Sequence, residues 1–245
     1  MKKSKKVIII ILLILISLVA IVYMSLDFAC LFGLIENSYP SSIIKRINVV
    51  LISIIVAISG KDSLNSKDSV LLKTAFIAVC FAEISFVLNS LFGGIFFFFI
   101  AQVLLILRNS PGLRQKLSSA DKATKLKLLG CSAAILAFYV LIFRFVFYPV
   151  LKLSPLLLAF MLYAAVLSIS LWVGIANYLL GLFPKKNSLM VCIGMACFFI
   201  SDILVGLSII TDSDVVYLIS NSFIWVLYIP AILLLALSGY KYNEL

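Results

Sequence analysis

The sequence predicts an all-helical (all-α) protein, a polytopic transmembrane helical bundle of about eight helices forming one domain over residues 1–245. Hydrophobic residues make up 64% of the 245 residues and charged residues only 12%, with a mean hydropathy of +1.24. Soluble domains average about 45–50% apolar and about 25% charged residues, so this composition excludes a soluble globular domain. Apolar runs recur along the chain, and most basic residues lie in the short segments between them.

The first helix is expected over Val7–Met24, after the basic segment Met1–Lys6. A signal peptide is the competing interpretation. However, this apolar run exceeds the about 7–15 residues of a signal-peptide core, and no A-x-A cleavage site follows it. We therefore predict an uncleaved helix with its amino end in the cytoplasm.

Seven further apolar segments follow, and each is expected to be one membrane-embedded helix. The second and fourth of the eight are shorter than the about 20 residues that a straight crossing needs, so their ends are the least defined. The seven segments are Ile43–Ser59, Ser69–Phe92, Ile95–Leu107, Leu128–Val150, Pro155–Leu180, Ser188–Ile210 and Val215–Ser238.

The distribution of basic residues predicts the topology. Eight crossings with the amino end inside place all but four of the 20 basic residues on the cytoplasmic side. The exceptions are Lys45, Arg46, Arg144 and Lys152. We therefore expect both termini to be cytoplasmic, in the inner (cytoplasmic) membrane. The net charge of +10 is then explained by topology and anionic lipid, and we expect no nucleic-acid partner.

The chain contains no histidine, which excludes a Ser-His-Asp triad and any histidine-ligated metal. The five cysteines lie in or beside apolar runs without a C-x-x-C pair, as expected for small buried hydrophobic side chains. No metal or cofactor is expected. Carboxylates remain as the groups for acid–base chemistry.

Two acidic residues lie inside apolar segments. Asp202, preceded by Ser201, stands in the middle of Ile193–Ile209, and Glu83 lies in the third segment. An aspartate at the centre of a membrane helix costs about 2.5–3.5 kcal/mol on insertion scales, so such residues face protein or a water-filled cavity. Both carboxylates are candidate functional residues.

The surroundings of the two acids are similar. Phe81–Ile84 (FAEI) matches Ile200–Ile203 (ISDI), and an amide, Gln102 or Asn221, follows each acid in the next segment. All matched positions share one offset, which predicts parallel half-repeats over 1–110 and 128–245 joined by a basic cytoplasmic loop. The match is short, so a true repeat and a chance match both stay open.

Tracing each segment through the membrane places several polar side chains at one depth: Glu83, Gln102, Tyr163, Asp202 and Asn221. Tyr228 is expected deeper, and Lys45, Arg46 and Arg144 nearer the outer surface. The simplest arrangement is an outward-open pocket with a carboxylate floor and a basic rim, suited to an amphiphile whose phosphate meets the cations. In the alternative, the carboxylates are purely structural and pair with lysine or amide side chains.

Gly194–Asp202 (GMACFFISD) resembles the G-A-x-x-F-x-x-S-D signature of the lysoplasmalogenase (YhhN-like) family of eight-helix membrane proteins. Leu151–Ala176 is similar to the sixth helix of that family, and Tyr228–Ser238 to its closing Y-x-x-A-x-x-L-I-A-L stretch. Lys45 stands where the family has a Lys-Pro pair, with Arg46 in place of the proline.

Two positions depart from the family pattern. Ala82-Glu83 replaces the Gly-Asp of the third helix, which keeps the acid but lengthens it by one methylene. Gln102 replaces a histidine of the fourth helix, so the capacity for proton transfer at that position is lost.

The resemblance implies hydrolysis of the vinyl ether of a lysoplasmalogen, with a lysophospholipid-like amphiphile and the bilayer as partners. Protonation of the β-carbon gives an oxocarbenium ion that water captures, and a protonated carboxylic acid in an apolar site can supply the proton. Asp202 and Glu83 are the expected catalytic residues. The alternative is a diverged protein that binds or moves an amphiphile without cleaving it. The expected substrate-binding residues are Lys45, Gln102, Tyr163, Ser201, Asn221 and Tyr228.

Overall fold

The computed structural model describes residues 3–36 and 39–242, a part of the chain that is built from helices and contains no β-strand. Eight helices are long and two, α5 and α7, are short. A π-helical segment, Phe143–Phe147, joins α6 to α7. The helices are α1 (Lys3–Leu31), α2 (Tyr39–Ala57), α3 (Ser66–Val87), α4 (Leu91–Asn109), α5 (Leu113–Ser119), α6 (Lys122–Ile142), α7 (Tyr148–Leu151), α8 (Leu156–Leu180), α9 (Lys185–Ile210) and α10 (Asp214–Leu237).

Seven of the helices in the described residues are long and apolar enough to cross a membrane. They include α1, and Lys122–Leu151 counts as one continuous span through α6, the π segment and α7. The chain is therefore a multi-pass membrane protein, as the composition predicted. The remaining long helix, α2, has 19 residues and carries Lys45 and Arg46 in its second turn.

Several helices extend beyond the apolar runs that predicted them. α1 continues to Leu31, seven residues past the expected end at Met24, and α4 begins at Leu91 rather than Ile95. Apolar composition marks the part of a helix that lies in lipid. The same helix can continue beyond that part where its polar side chains are buried against a neighbouring helix. The extension of α1 brings Asp27 into the bundle.

The two ends of the described chain meet at one face of the bundle, named here the terminal face. Lys5 near the start of α1 forms an ion pair with Asp62 at 2.6 Å, and its ammonium also donates to the Ser59 carbonyl. The backbone after α10 bonds to the same α2–α3 connection, where Lys241 N–H donates to the Asp62 carbonyl at 2.8 Å. The hydrogen bond from Lys5 lowers the pKa of the Asp62 carboxyl. Both chain ends therefore lie on one face, as an even number of crossings requires.

A buried ion pair locks α3 to α4 at the terminal face. Arg108 Nε donates to Asp68 Oδ1 at 2.8 Å, with the guanidinium fully buried over the Phe183 ring. The same guanidinium donates to Ser238 Oγ at the end of α10. Since each charged group has a hydrogen-bonded partner, the pair can be buried at tolerable cost.

The helices of the two halves of the chain contact their neighbours in a similar order. α3 packs on α4 as α9 packs on α10, and α2 lies beside α3 as α8 lies beside α9. α1 pairs with α2 as α6 pairs with α8, and α4 contacts α8 as α10 contacts α2. A shared Lys-Asx-Ser sequence begins the matched helices, Lys67–Ser69 in α3 and Lys186–Ser188 in α9, at the same offset as the two acids. The half-repeats stay a prediction that this order favours.

Candidate functional site

Six helices each contribute one polar side chain to a cluster in the half of the bundle away from the terminal face. This half ends at the distal face, formed by the α1–α2, α3–α4, α7–α8 and α9–α10 connections. The side chains meet through hydrogen bonds, an ion pair and close electrostatic contacts. The polar cluster comprises Arg46 of α2, Glu83 of α3, Gln102 of α4, Tyr163 of α8, Asp202 of α9 and Tyr228 of α10.

Asp202 occupies one side of the polar cluster. The Tyr163 hydroxyl donates a hydrogen bond to Asp202 Oδ2. Asp202 is partly buried, and Glu83 is close enough for the two charges to interact. Apart from Tyr163, the surroundings of Asp202 in the cleft are apolar, because Phe199 and Ile203 lie on the same face of α9 as Asp202. The described residues place no cation in contact with Asp202.

Glu83 occupies the other side, next to a cation. Arg46 Nε lies 3.6 Å from Glu83 Oε2, and the Glu83 side chain is only 10% exposed. The Arg46 guanidinium also donates to the Ser42 hydroxyl one turn earlier at 2.8 Å, which holds it over the start of α2. The two carboxylates therefore differ in environment, since Glu83 has a positive partner and Asp202 a neutral hydroxyl donor.

Two buried polar side chains of the cluster have no aligned hydrogen-bond partner within the described residues. The Tyr228 hydroxyl lies next to Glu83, Asp202 and Tyr163 but is aligned with none of them. Similarly, Gln102 lies beside Tyr163, and neither its amide nitrogen nor its oxygen is bonded within the described residues. Buried polar groups normally have partners, so a ligand or water fits here better than an apolar filling.

Aromatic rings fix the position of Tyr228. Its ring makes edge contacts with Phe98, Phe198 and Trp225, with centroids 5.5–6.0 Å apart. Such perpendicular arrangements are favourable between aromatic rings. The Tyr228 hydroxyl is therefore held at a set place in the polar cluster by packing from α4, α9 and α10.

Lys45, the expected phosphate contact, lies outside the polar cluster. Its ammonium forms an ion pair with Asp27 Oδ2 at 2.6 Å, and the two side chains are only 2% and 3% exposed. Ser41 Oγ donates to the other Asp27 oxygen, and the Trp225 ring covers the ammonium at 5.6 Å. The structure thus gives Lys45 a structural partner, and the cation beside Glu83 is its neighbour Arg46.

The two other expected contact residues do not join the polar cluster. Ser201 is fully buried, and its hydroxyl donates to the Phe198 carbonyl one turn earlier in α9. Asn221 lies half-buried, two turns before Tyr228 in α10, without a hydrogen bond to the cluster. Arg144, at the exposed π segment, stacks on Phe145 and Tyr148. Among the expected residues, Glu83, Gln102, Tyr163, Asp202 and Tyr228 are brought together.

The cavity at the polar cluster differs from the outward-open pocket with a basic rim that the sequence predicted. An apolar cleft, partly open to the outside, lies between α4, α6, the π segment, α8 and α9. Asp202 and Tyr163 form part of its wall, whereas Glu83 and the cations do not. The two carboxylates share an electrostatic contact but do not line one pocket.

Comparison with known proteins agrees with this architecture. The model of the YhhN family matches residues 40–239, which include every helix that contributes to the polar cluster. No curated protein and no solved structure matches the chain. Within the described residues no group of three or more histidine, cysteine, aspartate or glutamate side chains gathers where a metal ion would be held. The family match spans well over half of the chain, and the protein therefore belongs to the YhhN family.

Proposed function

We propose that this protein hydrolyses the vinyl ether bond of a lysoplasmalogen, releasing a fatty aldehyde and a glycerophospho-base. The observation that carries the proposal is a pair of membrane-buried carboxylates in unlike surroundings, Asp202 at an apolar cleft and Glu83 beside Arg46. Paired titratable groups with different environments are the usual basis for separate acid and base roles. Membership of the YhhN family, whose resemblance implied this activity, points the same way.

The environments assign the two roles. Arg46 stabilises negative charge on Glu83, which suits Glu83 to act as the ionised carboxylate. Asp202 faces apolar walls and has a hydroxyl rather than a cation as its partner, which suits it to carry the proton. Tyr163 fixes the orientation of Asp202 through the hydrogen bond that its hydroxyl donates.

The proposed reaction is balanced by one water molecule. Asp202 gives its proton to the β-carbon of the vinyl ether, and the π electrons of the double bond form the new C–H bond. The charge of Glu83, which lies outside the cleft, stabilises the resulting oxocarbenium ion, and Glu83 takes a proton from the attacking water by way of the Tyr228 hydroxyl, which lies next to both carboxylates. The hemiacetal then breaks its C–O bond. Asp202 takes the hydroxyl proton as the aldehyde forms, and the proton held by Glu83 goes to the departing alcohol oxygen, so both carboxyl groups are restored. Gln102 and Tyr228, which have unused hydrogen-bonding groups, are placed to orient the water.

A second function is favoured by one observation. Gln102 occupies the position at which the resemblance expects a histidine, and an amide does not transfer protons. A protein that binds or moves a lysolipid-like amphiphile without cleaving it would keep the polar cluster and the cleft while losing the chemistry.

The two functions are separated by a substrate panel. Purified protein in lipid nanodiscs is given a lysoplasmalogen, the matching saturated alkyl-ether lysolipid and the matching acyl lysolipid, and products are identified by mass spectrometry. We expect aldehyde from the vinyl ether alone, because only that bond is activated by carbon protonation. Binding of all three lipids without any aldehyde would support the second function, and fatty acid from the acyl lipid would contradict both.

A further inference from the structure

A second groove lies on the outside of the bundle between α2 and α3, and none of its lining residues belongs to the polar cluster. One face of α2 lines it with Val50, Ile54 and Ala57, and one face of α3 lines it from Lys73 to Ile84. Both sets recur at three- and four-residue spacing, so each forms a single stripe along its helix. The groove is therefore a channel that runs along the two helices.

This groove is open along its length. The two helices meet at its floor, where Ser53 Oγ lies 3.3 Å from Cys80 Sγ. No other helix of the described chain contributes a lining residue, and Ile54 and Ile77 at its sides are 40% and 56% exposed. Since the chain is a multi-pass membrane protein, the open side faces the bilayer.

The length of the groove matches one leaflet of a membrane. From Lys73 to Ile84 it extends about 16 Å, at 1.5 Å per helical residue. The hydrocarbon core of a bilayer is about 30 Å thick, so one leaflet accounts for about 15 Å of it. A groove of this length suits one acyl chain of a lipid in a single leaflet.

Lys73 marks the end of the groove that is nearest the terminal face. It is the lining residue closest to the start of α3, and Ala57 opposite is the last residue of α2. The Lys73 side chain is half-buried and has neither an ion pair nor a hydrogen bond within the described residues. A lysine near the end of a membrane helix extends its apolar stem along the protein and its ammonium toward the membrane surface.

The surroundings of Lys73 add further positive charge. Lys61 in the α2–α3 connection and Lys67 in the first turn of α3 are both exposed. The two acids of the same region, Asp62 and Asp68, are each paired with a cation from another helix. The terminal-face end of the groove therefore attracts a negatively charged group, whereas the rest of its lining is mostly apolar.

We propose that this groove binds an anionic phospholipid from the leaflet at the terminal face, with one acyl chain between α2 and α3 and the head group on Lys73. The positive-inside rule predicts that this face is cytoplasmic, and the cytoplasmic leaflet is the one rich in anionic lipid. An ammonium donates charge-assisted hydrogen bonds to a phosphate, and the neighbouring lysines favour a head group with a net negative charge. The lipid is a bound partner at a separate site, and the proposal does not depend on the hydrolysis proposed above.

The charge of the head group gives the first test. The delipidated full-length protein is titrated in detergent with dioleoyl phosphatidylglycerol or dioleoyl phosphatidylcholine, and bound lipid is counted by native mass spectrometry. Lys73→Gln removes the cation at the groove, with Lys127→Gln, an exposed position of α6 on the same face, as the matched control. Lys73→Arg keeps the charge.

We expect the unmodified protein to retain one phosphatidylglycerol in preference to phosphatidylcholine. Lys73→Gln should weaken that affinity by about tenfold, the equivalent of one charge-assisted hydrogen bond, whereas Lys127→Gln and Lys73→Arg should change it little. Equal losses in Lys73→Gln and Lys127→Gln, or no preference between the two lipids, would overturn the proposal.

The acyl chain is tested separately from the phosphate. Ala57→Phe places a ring in the groove, and Ala133→Phe places the same ring on an exposed face of α6. We expect only Ala57→Phe to weaken phosphatidylglycerol affinity, and we expect excess glycerol 3-phosphate, which has no chain, to displace none of the lipid. Displacement by glycerol 3-phosphate would show a phosphate site without a chain site and contradict the proposal.

A last measurement needs no substitution. Phosphatidylglycerol with a diazirine in one acyl chain is photo-crosslinked to the unmodified protein in nanodiscs, and labelled peptides are sequenced. We expect labelling of residues 50–57 and 73–84, reduced by excess phosphatidylglycerol but not by phosphatidylcholine. Labelling spread evenly over the exposed helices, or confined to α6, would contradict a lipid site between α2 and α3.

Discussion

The two acids at the centre of the molecule differ in what surrounds them. Asp202 receives a hydrogen bond from Tyr163 and borders apolar space, and Glu83 lies 3.6 Å from the Arg46 guanidinium. Tyr228 lies next to both acids and is held there by three aromatic rings. The proposed mechanism therefore assigns proton donation to Asp202 and charge stabilisation to Glu83.

Replacement of Glu83 tests the charged half of the pair. Glu83→Gln keeps the shape of the side chain and removes its negative charge beside Arg46, so lipid affinity should be retained. Turnover of lysoplasmalogen should fall by about 10²-fold or more, the lower end of what a general acid–base group contributes. Steady-state aldehyde release and equilibrium lipid binding check this, with Glu36→Gln in the exposed α1–α2 connection as the matched control. An affinity that falls as much as turnover would indicate a binding role for Glu83.

At the scale of the element, α2 carries two adjacent cations with different tasks. Neighbouring residues of a helix point about 100° apart, so Lys45 faces α1 while Arg46 faces α3. Lys45 pairs with Asp27 because α1 continues far enough to bring that carboxylate into the bundle. Trp225 then packs on both the Lys45 ammonium and the Tyr228 ring, which links the ion pair to the polar cluster.

Loss of this ion pair should affect stability before it affects binding. Lys45→Ala leaves Asp27 buried without its partner, a change that typically costs about 3–5 kcal/mol. Thermal unfolding of the purified protein should show a clear drop in midpoint, whereas Lys152→Ala at an exposed position should change it little. The double variant Lys45→Met, Asp27→Leu should recover most of the loss. A Lys45→Ala protein of unchanged stability with a raised KM would instead support the phosphate contact expected from the sequence.

Part of the site could be predicted from the sequence alone. Glu83 and Asp202 are recognisable because acids are rare inside apolar runs, and counting residues along each helix places Gln102 and Tyr163 near them. The choice between Lys45 and Arg46 depends on the rotation of α2, which packing against α1, α3 and α10 determines. Asp27 was missed because the apolar run ends before it. The apolar cleft depends on how α4, α6, α8 and α9 pack together, which no local pattern encodes.

For the whole molecule, both ends of the described chain meet at the terminal face, an arrangement that the predicted eight crossings require. The basic loop that contains α5 lies on the same face, between the end of α4 and the start of α6. The positive-inside rule predicts that this face is cytoplasmic. The polar cluster and the cleft would then lie in the outer half of the membrane.

A labelling scan tests that orientation. Single cysteines replace Lys122, Lys186 or Asp212 in a variant without the five native cysteines, and each is probed with a membrane-impermeant reagent in intact cells. Lys122→Cys and Lys186→Cys should react only after the cells are opened, whereas Asp212→Cys should react from outside. Opposite behaviour of the first two positions would contradict the bundle, and reversal of all three would contradict only the orientation.

The central claim is that Asp202 supplies the proton for vinyl ether cleavage in a site that binds lipid independently of that proton. The most direct measurement is aldehyde release and lysoplasmalogen affinity, determined in parallel for the unmodified protein and for Asp202→Asn. The account predicts aldehyde from the unmodified protein, a fall of about 10²-fold or more in turnover for Asp202→Asn, and an affinity within a few-fold of the original. An Asp202→Asn protein that releases aldehyde at the original rate would contradict it.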